Sequence, residues 1–216
     1  MTYRNEDGEQ APIPRAQHFA SSLTRPTYAW YPPDLLPLAK AYLDRRKVSD
    51  EARALLPIKA RPFGGFGCAL GFECAPSYFY ERRFNNPLER GRDYLPPGRK
   101  SYWRIDRRDS PALVLVEGVF DAIRVWEGGF SVVALHGQGV RWPEIALGLE
   151  LPVIVLFDKD AVLQAELTAI EGAGLEIPCL SLSHHLVKKD PGETSPGKLR
   201  SLLVAGLREL PPRSQV

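Results

Sequence analysis

Four carboxylates in two short stretches carry the chemistry that this sequence suggests. Glu117-Gly118-Val119-Phe120-Asp121 follows the apolar run Leu-Val-Leu-Val116, and Asp158-Lys159-Asp160 follows Val153-Ile-Val-Leu-Phe157. Short apolar, β-branched runs read as buried strands, so each acidic stretch should begin where a strand leaves the core. Open α/β sheets keep their ligands at such strand ends. Acidic side chains brought together there repel one another unless a cation joins them, and hard oxygen donors suit Mg²⁺ or Mn²⁺. Gly118 lacks a Cβ, which lets the chain turn sharply into a helix carrying Asp121 one turn along, so Glu117 and Asp121 are expected to face one cleft. Asp158 and Asp160 point to one side if the backbone stays extended, and Lys159 then faces away or reaches a phosphate. The expectation is a shared divalent-metal site.

Placing those acids requires alternating strands and helices. Strands are predicted over 112–116, 131–135, 153–157 and 177–181, and helices over 119–126, 142–149 and 161–171. This alternation predicts a parallel sheet with covering helices, spanning 111–195. A last helix is predicted over 196–208, followed by a frayed tail to residue 216. Upstream, residues 1–26 are polar and broken by Pro12, Pro14 and Pro26, and read as a flexible arm. Residues 27–110 read as a small basic α+β subdomain. Leu35, Leu38, Ala39, Tyr42 and Leu43 have helical spacing, Ser49 is a good N-cap for a second short helix, and 58–103 holds glycine-punctuated aromatic segments that read as short antiparallel strands.

The formal charge of +2 hides an asymmetry. Residues 1–110 carry 19 Lys/Arg against 13 Asp/Glu, whereas residues 111–216 carry 9 against 13. The densest positive stretch, 82–108, is interleaved with Tyr94, Tyr102 and Trp103. A basic, aromatic surface beside an acidic metal site suits a phosphate-rich substrate, and those three rings are candidates for stacking on bases. Cys68, Cys74 and Cys179 are too few and too poorly spaced for a disulfide framework or a zinc ribbon, and read as buried thiols. His136, His184 and His185 read as surface loop residues. No apolar stretch approaches the roughly 20 residues needed to cross a bilayer, and the N-terminus has no secretory segment, so a cytoplasmic protein with no membrane partner is expected.

The acidic pattern resembles the toprim domain, the metal-binding module of bacterial-type primases, topoisomerases, recombination-repair proteins and some nucleases. The resemblance covers about residues 111–195 and rests on Val116-Glu117-Gly118-Val-Phe-Asp121-Ala, Ala134-Leu-His-Gly137, Phe157-Asp158-Lys-Asp160-Ala and Lys189-Asp190-Pro191-Gly192-Glu193. The Asp-Pro segment and the helix after Asp160 look most like bacterial and phage replicative primases. The family implies that Glu117, Asp158 and Asp160 bind one or two Mg²⁺ or Mn²⁺ ions, supported by Asp121 and Asp190. Upstream, Glu81-Arg82-Arg83-Phe84 and Arg99-Lys100-Ser-Tyr-Trp103 look like the basic strands that in such primases face template and incoming nucleotide. Arg83 and Lys100 are the best-placed phosphate contacts, with Arg82, Arg92 and Arg99 as their neighbours. The resemblance implies a primase-like nucleotidyltransferase acting on single-stranded DNA and nucleoside triphosphates. A zinc module and a helicase-linked region are absent from these 216 residues; where used, they are expected on another chain, and a compact phage or plasmid source is expected. A metal-dependent nuclease is the competing reading, because the same acids can activate water. A nonenzymatic nucleic-acid-binding replication accessory protein is the third. A topoisomerase would need a strand-cleaving tyrosine in a separate domain.

Overall fold

The computed structural model describes residues 2–4, 10–12, 29–75, 78–94, 102–137, 139–146 and 150–210. In the N-terminal stretch, β1 (Thr2–Arg4) and β2 (Gln10–Pro12) pair antiparallel, a ribbon within what the sequence suggested was a loose arm. Two short helices follow, α1 (Pro37–Arg45) and α2 (Asp50–Leu55). Ala39, Tyr42 and Leu43 are the buried face of α1. Ser49 caps α2 as its residue type predicts, its hydroxyl accepting the Ala52 N–H at 3.1 Å.

The glycine-punctuated segments form a four-stranded antiparallel sheet in sequential order: β3 (Ile58–Phe63), β4 (Gly67–Ala75), β5 (Tyr78–Phe84) and β6 (Arg92–Tyr94). Alternation along each strand sorts the residues by face. Ile58, Ala60, Leu70, Phe72, Tyr80 and Phe84 turn inward to the core. On the opposite face the register sets Arg61, Ala69, Arg83 and Arg92 in one cross-strand row, with Lys59, Gly71, Glu81 and Tyr94 in the next. The ring of Trp30 stacks on Phe79 at 4.5 Å and lies over Gly71, where an added Cβ would stand 2.4 Å from the indole.

A second, five-stranded sheet has the order β11-β10-β8-β9-β7. Its strands are β7 (Trp103–Ile105), β8 (Leu113–Val116), β9 (Ser131–Ala134), β10 (Val153–Val155) and β11 (Cys179–Ser181). It is covered by α3 (Val119–Glu127), α4 (Trp142–Ala146), α5 (Val162–Gly174) and α6 (Pro196–Leu207). Successive residues of β8, β9 and β10 feed two different cores. Val114, Val116, Val132 and Ile154 join α3, α6 and the first sheet, while Leu113, Leu115, Val133 and Val155 join α4 and α5. Burial on both faces is why these strands read as unbroken apolar runs.

The sheet is mixed rather than wholly parallel. β7 pairs antiparallel with β9, so the strand nearest the expected boundary at residue 110 belongs to the second sheet. Trp103 and Ile105 are buried and Arg104 points to solvent, the alternation of an edge strand with one covered face. Trp103 is 0% exposed and meets Phe72 edge-on at 5.1 Å, so it joins the two sheets and has no face to offer a base. Among the described residues no helix is long and apolar enough to cross a membrane.

Candidate metal and nucleic-acid site

From β8 the chain passes to β9 on one side, while β10 lies on the other, so the connections diverge between β8 and β10. Their carboxyl ends open into the crevice where ligands bind in sheets of this kind. Glu117 comes directly after β8, and Asp158 three residues beyond the end of β10. The two meet: the Asp158 N–H donates to Glu117 Oε1 at 3.2 Å. The Glu117 carbonyl in turn accepts the His136 N–H at 2.9 Å, which fixes the turn after β9 beside the same crevice. A cleft of about 390 Å³ opens next to Glu117, lined among others by Leu135, Gly137, Phe157 and Thr168.

Burial pushes the Asp158 carboxyl up to about 6, helped by the negative charges of Glu117, Asp190 and Asp160, with Lys189 opposing. Its Oδ1 is buried without a hydrogen-bond partner among the described residues. An orphaned carboxylate oxygen among like charges is what a cation would relieve. Donor type therefore fits a hard divalent ion. Donor convergence is incomplete, because among the described residues no three His, Cys, Asp or Glu side chains are gathered closely enough to hold one ion.

The backbone after Asp158 does not stay extended. Residues Lys159–Ala161 form a 3₁₀ turn, the Ala161 N–H returns to the Asp158 carbonyl at 2.8 Å, and Lys159 N–H donates to the Lys189 carbonyl at 2.8 Å. Asp160 is exposed, with its carboxylate 3.8 Å from the Lys189 ammonium. Lys159 is exposed.

Asp121 differs from its expected place in the open cleft. It is buried, and its carboxylate accepts the Gly118 N–H at 3.0 Å and the Gly192 N–H at 2.8 Å, tying the start of α3 to the loop that follows Asp190. Burial pushes its pKa up to about 7, with the charges of Asp158 and Asp190 adding and the two N–H bonds opposing. Gly118 has ordinary extended backbone, φ −122°, so conformational freedom is not its role. A Cβ there would lie 2.8 Å from Asp121 Oδ2, and one at Gly192 would lie 2.7 Å from Asp121 Oδ1. Both glycines make room for the carboxylate. Asp190 caps the 3₁₀ turn Pro191–Glu193, accepting the Glu193 N–H at 2.8 Å.

Histidine 136 is half-buried and engaged with the first sheet rather than a free surface loop residue. It holds a left-handed backbone at φ 55°, stacks on Tyr80 at 4.0 Å and sets Nε2 3.7 Å from Cys74 Sγ. Burial pushes its pKa down to about 3, and Arg82 adds to this, so the ring is neutral. Sequence reading missed this bridge between the sheets, and the only signal was its place in the turn after β9. Cys68, Cys74 and Cys179 are free thiols.

On the first sheet, Arg83 lies on the outward face, its guanidinium 3.7 Å over the Tyr94 ring and 4.7 Å over Phe63, with Nε donating to Glu81 at 2.7 Å. Glu81 also takes Arg61 at 3.0 Å. Arg82 points the other way. Its side chain is 12% exposed, paired with Asp93, and bonded to the Arg90 carbonyl at 3.0 Å. Neighbouring residues of a strand face opposite sides, so only one of this pair can be on the outward face, and Arg82 is a structural tie. Arg99 and Lys100 lie outside the described residues. Tyr102 is committed to structure, donating to the Gly139 carbonyl and accepting the Arg141 N–H, both at 2.7 Å. Of the three proposed stacking rings Tyr94 is the exposed one, with the Arg83 guanidinium over one of its faces. Compared with known protein families, curated proteins and solved structures, the chain matches none.

Proposed function

We propose that this chain is a primase-like nucleotidyltransferase, built on a toprim-type fold, that joins nucleotides on single-stranded DNA. The observation that carries the reading is the meeting of Glu117 and Asp158 at the diverging strand ends, with Asp158 Oδ1 buried and unpartnered among the described residues. The parallel strand order β11-β10-β8-β9 supports the toprim resemblance. Glu117 and Asp158 would hold Mg²⁺ or Mn²⁺, joined by Asp160 if the turn at Lys159–Ala161 opens, with Asp121 and Asp190 shaping the floor of the site. When bound, such an ion supplies positive charge to phosphate oxygens and to the attacking and leaving oxygens. Arg83 holds a phosphate of template or nucleotide, braced by Glu81 and Tyr94 so that little side-chain freedom is lost. The outward row puts Arg61, Arg83 and Arg92 on one face of the sheet, where they would meet a phosphate backbone, and Lys159 and Lys100 are further phosphate ligands in this reading.

Incubation with single-stranded DNA, labelled ribo- and deoxynucleoside triphosphates and Mg²⁺ or Mn²⁺, resolved by length, tests it. New short oligomers that disappear in Glu117→Gln are expected. Shortening of the template instead would transfer the same carboxylates to a nuclease. Neither product, with Mg²⁺ present and the protein folded, would leave a binding role in replication and overturn the enzyme.

A further inference from the structure

Away from the carboxylates, the end of α1 faces the start of α6 across a cavity of about 450 Å³. Five cations line it, Arg45, Arg46, Lys47, Arg124 and Lys188, and Glu193 is the one acid among the lining residues. Two of the five are spent on structure. Arg45 donates to the Leu88 and Glu89 carbonyls at 2.9 and 2.6 Å, and Arg124 to the Arg46 carbonyl and the Glu127 carboxylate, both at 2.7 Å. Arg46, Lys47 and Lys188 pair with no carboxylate among the described residues. Arg46 lies 4.3 Å over the Phe120 ring. Lys47 occupies a left-handed backbone position at φ 56°, where Gly or Asn would be less strained. Three unneutralised cations brought together from α1 and the 188–195 loop repel one another, and that repulsion is relieved when an anion enters.

A second cavity, of about 670 Å³, adjoins the first and shares Lys188, Glu193, Thr194 and Ser195 with it. Its walls include Leu186, Val187 and Leu202. One compartment is thus basic and the next largely apolar, the division found between the phosphates and the base of a nucleotide. The Ser195 hydroxyl, which lines both cavities, makes no capping bond to α6. Gly192 stands between the basic cavity and the acids, its N–H on Asp121 and its carbonyl accepting Arg124 Nε at 3.4 Å.

We infer that these joined cavities bind a nucleoside di- or triphosphate, with Arg46, Lys47 and Lys188 on its phosphates and its base against Leu186, Val187 and Leu202. The site uses none of Glu117, Asp158 or Asp160 and does not rest on the polymerase reading. It also needs no divalent ion, which separates it experimentally from the carboxylate crevice.

Titration calorimetry of the full chain with ATP in EDTA at low salt tests the inference, with pyrophosphate and oligo(dT) as parallel ligands. ATP should bind in EDTA, be displaced by pyrophosphate, and weaken roughly tenfold or more in the Lys47→Glu, Lys188→Glu double variant. The Glu117→Gln, Asp158→Asn variant should bind as the parent does. Lys47→Asn with Lys188→Gln, whose asparagine suits the left-handed backbone, should weaken ATP in the same direction and guards against a folding artefact. Absent ATP binding, or binding indifferent to both lysine variants, overturns the site. Binding lost with the carboxylates moves the nucleotide to the crevice, and oligo(dT) binding through these lysines without ATP or pyrophosphate replaces the nucleotide by a strand.

Discussion

Asp121 accepts N–H groups from Gly118 and from Gly192, residues far apart in the chain, and so fastens the start of α3 to the loop bearing Asp190. An alanine at 192 would set a methyl group 2.7 Å from Asp121 Oδ1 and 3.1 Å from Asp190 Oδ1. Neither carboxylate can retreat without giving up a backbone donor. Gly192→Ala should therefore destabilise the fold by about 1–3 kcal/mol, read as a lower urea midpoint with an unchanged slope. An unchanged midpoint would show that the Asp121 tie carries little. The Glu-Gly-x-x-Asp spacing reveals which residues gather after β8 but not what Asp121 does, because its second partner lies 71 positions away. His136 was illegible for the same reason. Its neighbours Tyr80 and Cys74 come from the other sheet, and a histidine beside glycine reads locally as an exposed turn.

At the scale of elements, buried strands were legible and their edges were not. The runs at β8, β9 and β10 are apolar at every position because both faces are covered, a pattern that needs no tertiary knowledge to read. β7 has three residues and one buried face, and only the vacant edge of β9 recruits it to the second sheet. The Asp158-x-Asp160 stretch follows a strand and invites an extended reading, yet the Lys189 carbonyl captures the Lys159 N–H and the chain turns. On β5, alternation separates two adjacent arginines that look equivalent in sequence. Arg82→Ala removes a largely buried partner of Asp93 and should cost about 1–3 kcal/mol of stability with little direct effect on DNA binding beyond that loss. Arg83→Ala should do the reverse, weakening single-stranded DNA binding by roughly 1 kcal/mol and reducing the salt slope by about one phosphate's worth, with a small change in melting. Fluorescence anisotropy over a salt series, paired with thermal melts of both variants, separates the two faces. Equal effects of the two on DNA binding would remove the outward row from the proposed interface.

Over the whole molecule, the carboxylates make stability depend on pH in a direction opposite to that of salt-bridged acids. Asp121 is raised to about 7 and Asp158 to about 6, both from 3.8. The folded chain holds these protons more tightly than the unfolded chain, so between the unfolded and folded values it carries more of them. Stability from these two groups is thus fully present below about pH 4, falls as pH rises through the folded values, and levels off above about pH 7. The loss is on the order of a few kcal/mol, less for Asp158 than its shift suggests because it is only half buried. Melting in EDTA should accordingly be lower at about pH 8 than at about pH 5, against the trend set by ion-paired acids such as Asp44, whose partners Lys40 and Arg53 hold its pKa below the usual range. A divalent ion on Glu117 and Asp158 would neutralise the repulsion that builds up as the protons leave. Millimolar Mg²⁺ or Mn²⁺ should then raise the melting temperature at about pH 8 and have little effect at about pH 5, where protons already occupy part of the site. Glu117→Gln should blunt the ion's effect while keeping the fold. A melting temperature indifferent to the ions at both pH values would remove the metal from the crevice and leave Asp158 Oδ1 as a buried cost of the fold.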